Sequence, residues 1–321
     1  KTNKTNLMKR EKTQKNTLTK AATRNLKNWK PQIFNPVEDE PKLIELIEEF
    51  KPTITKEIQS HLEELVKCKN PKKSLSPSEK QKLIQQHLNG INPDFYGLWV
   101  YYPWTNRLVQ ILPEEEFIEV RTNRNHYKIS PAEEKVLSTK KVGLIGLSVG
   151  QSVAVTLAME RGFGELRLAD FDSLELTNLN RIRTGVHNLG LSKVISVARE
   201  IVEIDPFLNI TCFTDGLTEE NLDDFFHKGG DLDLLIDECD GLDMKVISRW
   251  KAREMRIPVV MEASDRGMID VERFGLEPKR PLLHGMIEDL SPEKLKSLET
   301  NEDKIPYMLA MVGAATISTR A

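Results

Sequence analysis

Long apolar runs are missing from this chain. No stretch approaches the roughly 18 consecutive apolar residues that a membrane-spanning helix needs, and the first thirty residues hold no apolar core of a secretory signal. Cysteine is scarce: Cys68, Cys212 and Cys239 are odd in number, far apart and never in a C-x-x-C pair. That pattern supplies neither a disulfide framework nor zinc-site spacing, and it fits a reducing compartment. The six histidines are scattered as well. These absences predict a cytoplasmic protein with no membrane partner and no metal site built from His and Cys. Charge of one sign is also lacking overall. With 46 Lys and Arg against 49 Asp and Glu, the net charge of −3 sets up no global field for nucleic acid.

The local picture differs at the start. Residues 1–30 carry ten Lys or Arg and a single acid, Glu11, with almost no large apolar residue before Leu26. Such a segment cannot bury enough surface to offset its ordering entropy. It reads as a disordered basic tail in preference to a nucleic-acid arm.

Helical spacing begins at 41–50 (PKLIELIEEF) and recurs at 54–68 (ITKEIQSHLEELVKC), and SPSEK, 76–80, is a capped helix start. GLWVYYPWTNRLVQILP is aromatic and β-branched around a Pro-Trp-Thr-Asn turn, the pattern of a hairpin whose aromatics serve core packing rather than a binding platform. Residues 31–120 thus read as a small N-terminal α+β subdomain. From Lys141 onward, strands alternate with helices. KVGLIG, ELRLADFD, NITCFT, LDLLIDECD and IPVVMEA are the strands, which predicts a doubly wound, mostly parallel, Rossmann-like α/β sheet over 121–275. Residues 276–321 read as a helical extension.

The chemistry concentrates in four places. In VGLIGLSVGQS, a glycine-bearing turn between the first strand and first helix can aim backbone N–H groups and a helix dipole at an anion. Of a G-x-G-x-x-G fingerprint only Gly146 is in place; Ser148 and Gln151 occupy the other glycine positions, and Gly150 lies off the pattern. Alone, the turn fits a phosphate cradle and a plain tight turn equally. Asp170 then ends the second strand 24 residues after Gly146, close to the spacing of a carboxylate that accepts from ribose hydroxyls, with Asp172 beside it. Next comes LTNLNRIRTGVHNLGLSK, with Asn178, Arg181, Arg183 and Lys193. These cations are superfluous for a redox dinucleotide but suit a triphosphate attacked at its α-phosphorus, where charge builds on phosphoryl oxygens. Finally, LLIDECDG delivers Asp237 and Asp240 to the carboxyl edge of the sheet, where a carboxylate can hold Mg²⁺ against phosphates.

This ordered set, a glycine turn, DFD followed by NLNR, then GLSK and DECDG, resembles the ThiF/HesA/MoeB adenylyltransferases, relatives of ubiquitin-activating enzymes, over about half the chain. The resemblance implies a normally dimeric enzyme that activates a carboxylate with ATP and Mg²⁺ as an acyl adenylate. The carboxylate can be the C-terminus of a small carrier protein, a peptide or a small acid. By the same resemblance, Gly146, Ser148 and Gly150 form the nucleotide turn, Asp170 takes the ribose with Asp172 beside it in the cofactor site, Asn178, Arg181 and Lys193 hold phosphates, and Asp240 binds Mg²⁺. Arg121 and Arg124 in VRTNRN match an entry segment that reaches the γ-phosphate across a dimer, Arg124 being the better match. Ile182 stands where the family has Gln, Gly241 where it has Asn, and no cysteine follows Cys239 to serve as a thioester acceptor. A non-catalytic scaffold and a nicotinamide-dependent oxidoreductase are the competing readings.

Overall fold

The computed structural model describes residues 27–263, 268–287 and 289–312; most of the basic tail expected at 1–30 lies outside them. The chain divides into two units, one of residues up to 133 together with Val202–Phe207, the other of Glu134–Ile201 and Leu208 onward.

The first unit is built on a four-stranded sheet ordered β1-β3-β4-β2. Its strands are β1 (Gln32–Phe34), β2 (Thr53–Lys56), β3 (Leu98–Tyr102) and β4 (Arg107–Ile111). The hairpin expected around Pro103 is present as the antiparallel pair β3–β4. Its side chains alternate between two faces. Trp99, Tyr101 and Leu108 pack with Leu43 and Leu46 of α1 (Glu40–Phe50), and Val100, Tyr102 and Ile111 pack on the opposite side with Phe117 and Phe207. Both faces are covered, so LWVYY reads as one apolar run, and its aromatics belong to the core.

The helix expected over 54–68 begins later. Thr53–Lys56 pairs in parallel with β4, and α2 spans only Ile58–Cys68. The β-branched run Thr53-Ile54-Thr55 favours the pleated conformation, which the periodicity of the following helix masked. α3 (Pro77–Leu88) starts in the capping box read from SPSEK: Ser76 N–H donates to Glu79 Oε2 at 2.8 Å. Together α2 and α3 bury Ile58, Leu62, Leu65, Ile84 and Leu88. α4 (Glu114–Thr122) completes the unit, with Arg121 Nε 3.1 Å from Asp205 Oδ2. A short α5 (Pro131–Leu137) leads out of it.

The second unit is a six-stranded sheet ordered β10-β9-β8-β5-β6-β7. Its members are β5 (Lys141–Ile145), β6 (Glu165–Ala169), β7 (Asn209–Phe213), β8 (Leu234–Asp237), β9 (Val259–Ala263) and β10 (Met268–Glu272). All pairs are parallel except β9–β10. The helices α6 (Gly150–Glu160), α7 (Lys193–Ile204), α8 (Leu222–His227) and α9 (Leu242–Glu254) are the crossovers. After them come the antiparallel edge strand β10, α10 (Pro292–Ser297) and α11 (Asn301–Val312). From β5 the sheet grows one way through β6 and β7, and the chain then returns to lay β8 on the other side of β5. The order therefore reverses between β5 and β8, and a crevice opens beyond their carboxyl ends.

Two buried charge groups set the sheet's interior. Arg167, wholly buried in β6, donates to the carbonyls of Phe225, Lys228 and Gly230 at 2.6–2.7 Å and pairs with Glu165. A buried cation is tolerated there because it satisfies the orphan carbonyls at the end of α8. Under β8, Arg249 of α9 bridges Asp237 and Glu272, and Lys245 Nζ lies 2.8 Å from Asp237. Burial alone would push Asp237 up, but Arg249 and Lys245 outweigh it and hold its carboxyl at about 2.

Candidate functional site

The crevice at the reversal point contains a cavity of about 160 Å³ whose lining includes Gly146, Ser148, Asp170, Asp172, Lys193 and Asp240. These residues come from three strand ends and one helix start, spread over nearly a hundred positions of sequence. Phe171, Glu238, Cys239, Gly241 and Met244 complete much of its wall. Ligand pockets usually measure about 300–1,000 Å³, so a nucleotide seated here would extend over the rim, past the exposed Phe171 and Arg181.

The floor is the turn after β5. Gly146 sits at φ +85°, and a Cβ there would come within 2.4 Å of the Glu238 carbonyl oxygen. Only glycine permits both the left-handed backbone and this approach of β5 to the end of β8. Gly150 serves a different contact: a Cβ on it would meet Leu144 Cδ2 at 2.6 Å, so the missing side chain lets α6 pack onto β5.

Asp170 braces the turn from β6. Its Oδ2 accepts from Leu147 N–H at 2.7 Å and its Oδ1 from Asp172 N–H at 2.8 Å. Each oxygen keeps a further lone pair for a ligand hydroxyl. Burial raises the carboxyl's pKa above its ordinary value, and the two N–H groups with Lys193 only partly counter it. Lys193, at the first position of α7, is itself buried, and its Nζ lies 2.7 Å from Asp172 Oδ2. Its stem runs back to the cavity, where Asp172 is its counter-ion.

Ser148, where the fingerprint has glycine, provides a partner: Arg181 Nε donates to its Oγ at 2.8 Å. Gln151, the other replaced glycine, is a clamp. Its Nε2 donates to Arg183 O and Glu200 Oε2, and its Oε1 accepts from Arg183 N–H, all within 2.7–2.8 Å. Two bonds to the backbone of Arg183, together with the buried Ile182, fix the segment that carries Arg181. Asn178 points inward, its Oδ1 accepting from Glu175 N–H at 3.0 Å within the same turn. Arg124 is exposed on a 3-10 turn, Asn123–Asn125, of the first unit.

Asp237 does not reach the carboxyl edge as a ligand. Its side chain is turned under the sheet and consumed by Arg249 and Lys245. The next residue along the chain, Glu238, faces the other way and lines the cavity. Burial pushes its carboxyl up to about 7, with Glu262 and Asp237 adding to the rise against a backbone hydrogen bond from Glu262. Its Oε1 takes that bond at 3.2 Å, and its Oε2 is buried with no hydrogen-bond partner among the described residues. The sequence motif did not single out Glu238, although the period-two alternation of DECD separates it from Asp237. Asp240 is exposed and has no ion-pair partner among the described residues. No cluster of three or more metal-ligating side chains forms among those residues; Mg²⁺ beside a nucleotide needs only one or two carboxylates, with phosphates and water completing its shell.

A mostly parallel doubly wound sheet with a cavity at its reversal point is the arrangement in which open α/β sheets bind their ligands. Residues 121–319 match the ThiF family, and the chain belongs to it. An uncharacterised protein of Mycobacterium tuberculosis is 45% identical over 222 residues, which are 69% of this chain and 30% of that protein. The chain thus spans under a third of that relative's length. The molybdopterin-synthase adenylyltransferase of Haemophilus influenzae is 29% identical over 180 residues, 54% of this chain and 70% of that one. Among solved structures, the tRNA N6-threonylcarbamoyladenosine dehydratase of Escherichia coli, in complex with ATP, is 25% identical with a TM-score of 0.42. That match covers 46% of this chain and 61% of the other. No helix among the described residues is long and apolar enough to cross a membrane.

Proposed function

We propose that this chain is an ATP-dependent adenylyltransferase that activates a carboxylate as an acyl adenylate, releasing pyrophosphate. The observation that carries the reading is the convergence of Gly146, Ser148, Asp170, Asp172, Lys193 and Asp240 on one cavity at the reversal point of the sheet. Family membership and the adenylyltransferase named among the relatives support it.

In this mechanism Asp170 accepts from the ribose hydroxyls with the lone pairs left by its two backbone donors. Lys193 exchanges part of its contact with Asp172 for the phosphates. Arg181, held against Ser148 by its Nε, still offers further guanidinium N–H groups to the α-phosphoryl oxygens. The substrate carboxylate attacks the α-phosphorus in line, and these cations neutralise the charge that develops as pyrophosphate leaves. Catalysis is positioning plus electrostatics, and no covalent enzyme intermediate is required. Asp240 would hold Mg²⁺ together with the phosphates, the ion supplying additional charge neutralisation. Arg124 is assigned to the γ-phosphate from a second copy of the chain, within a homodimer.

The test is a calorimetric titration of the protein with ATP, with and without Mg²⁺, and with NADH as comparator. ATP binding that strengthens with Mg²⁺ and loses that dependence in Asp240→Ala is the expected result. Absence of ATP binding, or preferential binding of NADH, would refute the proposal.

A further inference from the structure

A second and larger cavity, about 600 Å³, lies alongside α9. The apolar part of its wall is Leu222, Met244, Ile247, Trp250, Leu295 and Leu298, and charged Glu219, Asp243, Lys296 and Lys304 line it as well. Met244, Ile247 and Trp250 recur every three residues, so they form one stripe of the helix. Lys245 and Arg249, on another face, enter the buried charge cluster with Asp237. Leu222, Met244, Ile247, Trp250 and Leu298 are each half-buried, packed on the core by one side. Polar groups stand among these apolar walls: Lys304 Nζ is 2.6 Å from Asp243, and Lys296 is exposed with no ion-pair partner among the described residues.

Met244 lines this cavity and the cavity at the sheet reversal alike. The first turn of α9 therefore lies between this chamber and the cavity in which the proposed nucleotide would sit, and Asp240 and Gly241 immediately precede that turn. We infer that the chamber holds the apolar body of the activated carboxylate, and that the substrate is a small acid with a bulky hydrophobic group. The inference rests on the adenylation reading. It also separates two kinds of substrate that reading leaves open. A slender glycine-ended tail of a carrier protein has no side chains to cover the six apolar side chains around this space of about 600 Å³. An acid with a sizeable hydrophobic body fits a chamber within the ordinary range of small-molecule sites. Desolvating that body against Ile247, Trp250 and Leu298 would anchor the acid, leaving its carboxylate to pass Met244 towards Asp240.

The test uses decanoate and N-acetylphenylalanine as probes, with a Gly-Gly-ended peptide as comparator, on the intact chain. ATP–pyrophosphate exchange should be supported by at least one hydrophobic acid in preference to the peptide. Ile247→Lys, and Leu298→Trp on the facing wall, should each raise the half-saturating concentration of that acid at least ~10-fold, or about 1.4 kcal/mol. The affinity for ATP, measured separately by calorimetry, should stay unchanged. Decanoate should also alter the fluorescence of Trp250, assigned by its loss in Trp250→Phe. If ATP binds but neither acid perturbs Trp250 or supports exchange, the inference falls while the nucleotide site stands. Exchange supported by the peptide and insensitive to both wall substitutions would overturn it equally. If ATP itself does not bind, the adenylation reading fails, and the inference with it.

Discussion

Glu238 is a carboxyl that the folded chain holds near neutrality, and replacing it tests that directly. Glu238→Gln keeps the side chain's size and an oxygen for Glu262 N–H, but removes the charge. Raising a carboxyl from its ordinary 4.5 to about 7 corresponds, at about 1.36 kcal/mol per pH unit, to about 3.4 kcal/mol. The residue is only half-buried, and screening by solvent reduces this to ~1–3 kcal/mol. The sign follows from proton counting. Between its two pKa values the folded state keeps a proton that the unfolded state has lost, so the native chain loses stability as pH rises from 4.5 to about 7 and is level beyond that. The Gln variant has no such decline. Urea unfolding of both proteins without nucleotide or metal, from about pH 4 to about pH 9, should show the variant gaining ~1–3 kcal/mol relative to the native chain on the alkaline side. A stability difference that does not change with pH would reflect only the new amide beside an orphan buried position, and would refute the reasoning.

Gly146→Ala should cost ~2–6 kcal/mol, combining left-handed backbone strain with overpacking against the Glu238 carbonyl. A loss under ~1 kcal/mol in chemical denaturation would show that the turn relaxes freely. Arg249→Met should cost ~3–5 kcal/mol, chiefly by stranding Glu272 in the core while Asp237 keeps Lys245, seen as a drop in thermal midpoint. Adding Glu272→Gln should recover part of it. A double variant no better than the single would mean that Arg249 acts by packing instead of by charge.

The sheet was legible because its strands are continuous apolar runs separated by amphipathic helices, a signature of parallel pairing. So was the cavity's membership: Gly146, Asp170, Lys193 and Asp240 follow strand ends or open helices, and parallel topology puts those positions on one edge. The functions of the two replaced glycines were not legible. Ser148 and Gln151 read as damage to a fingerprint, because a pattern registers what a position lacks. Their uses depend on Arg181 and Arg183, which lie more than thirty residues away and meet them only in three dimensions. Asp237 and Glu238 posed a different difficulty. Adjacent acids at a strand end have opposite fates, and knowing which one faces the cavity requires knowing which face α9 covers. At 53–56 a short edge strand was absorbed into the helix after it, since three or four residues carry too little periodicity to mark a boundary.

The Gln151 clamp makes three distant positions interdependent. In a chain with glycine at this position, the loop bearing Arg181 would have to be ordered by other contacts or by its ligand. Here the loop is tied to α6, and Glu200 contributes to the same knot through both Gln151 and Arg183. Putting glycine at 151 would leave Arg183's N–H and carbonyl without their present partners and remove one of Glu200's donors. Positions 151, 183 and 200 therefore behave as one unit: what a change at one of them costs depends on what stands at the other two.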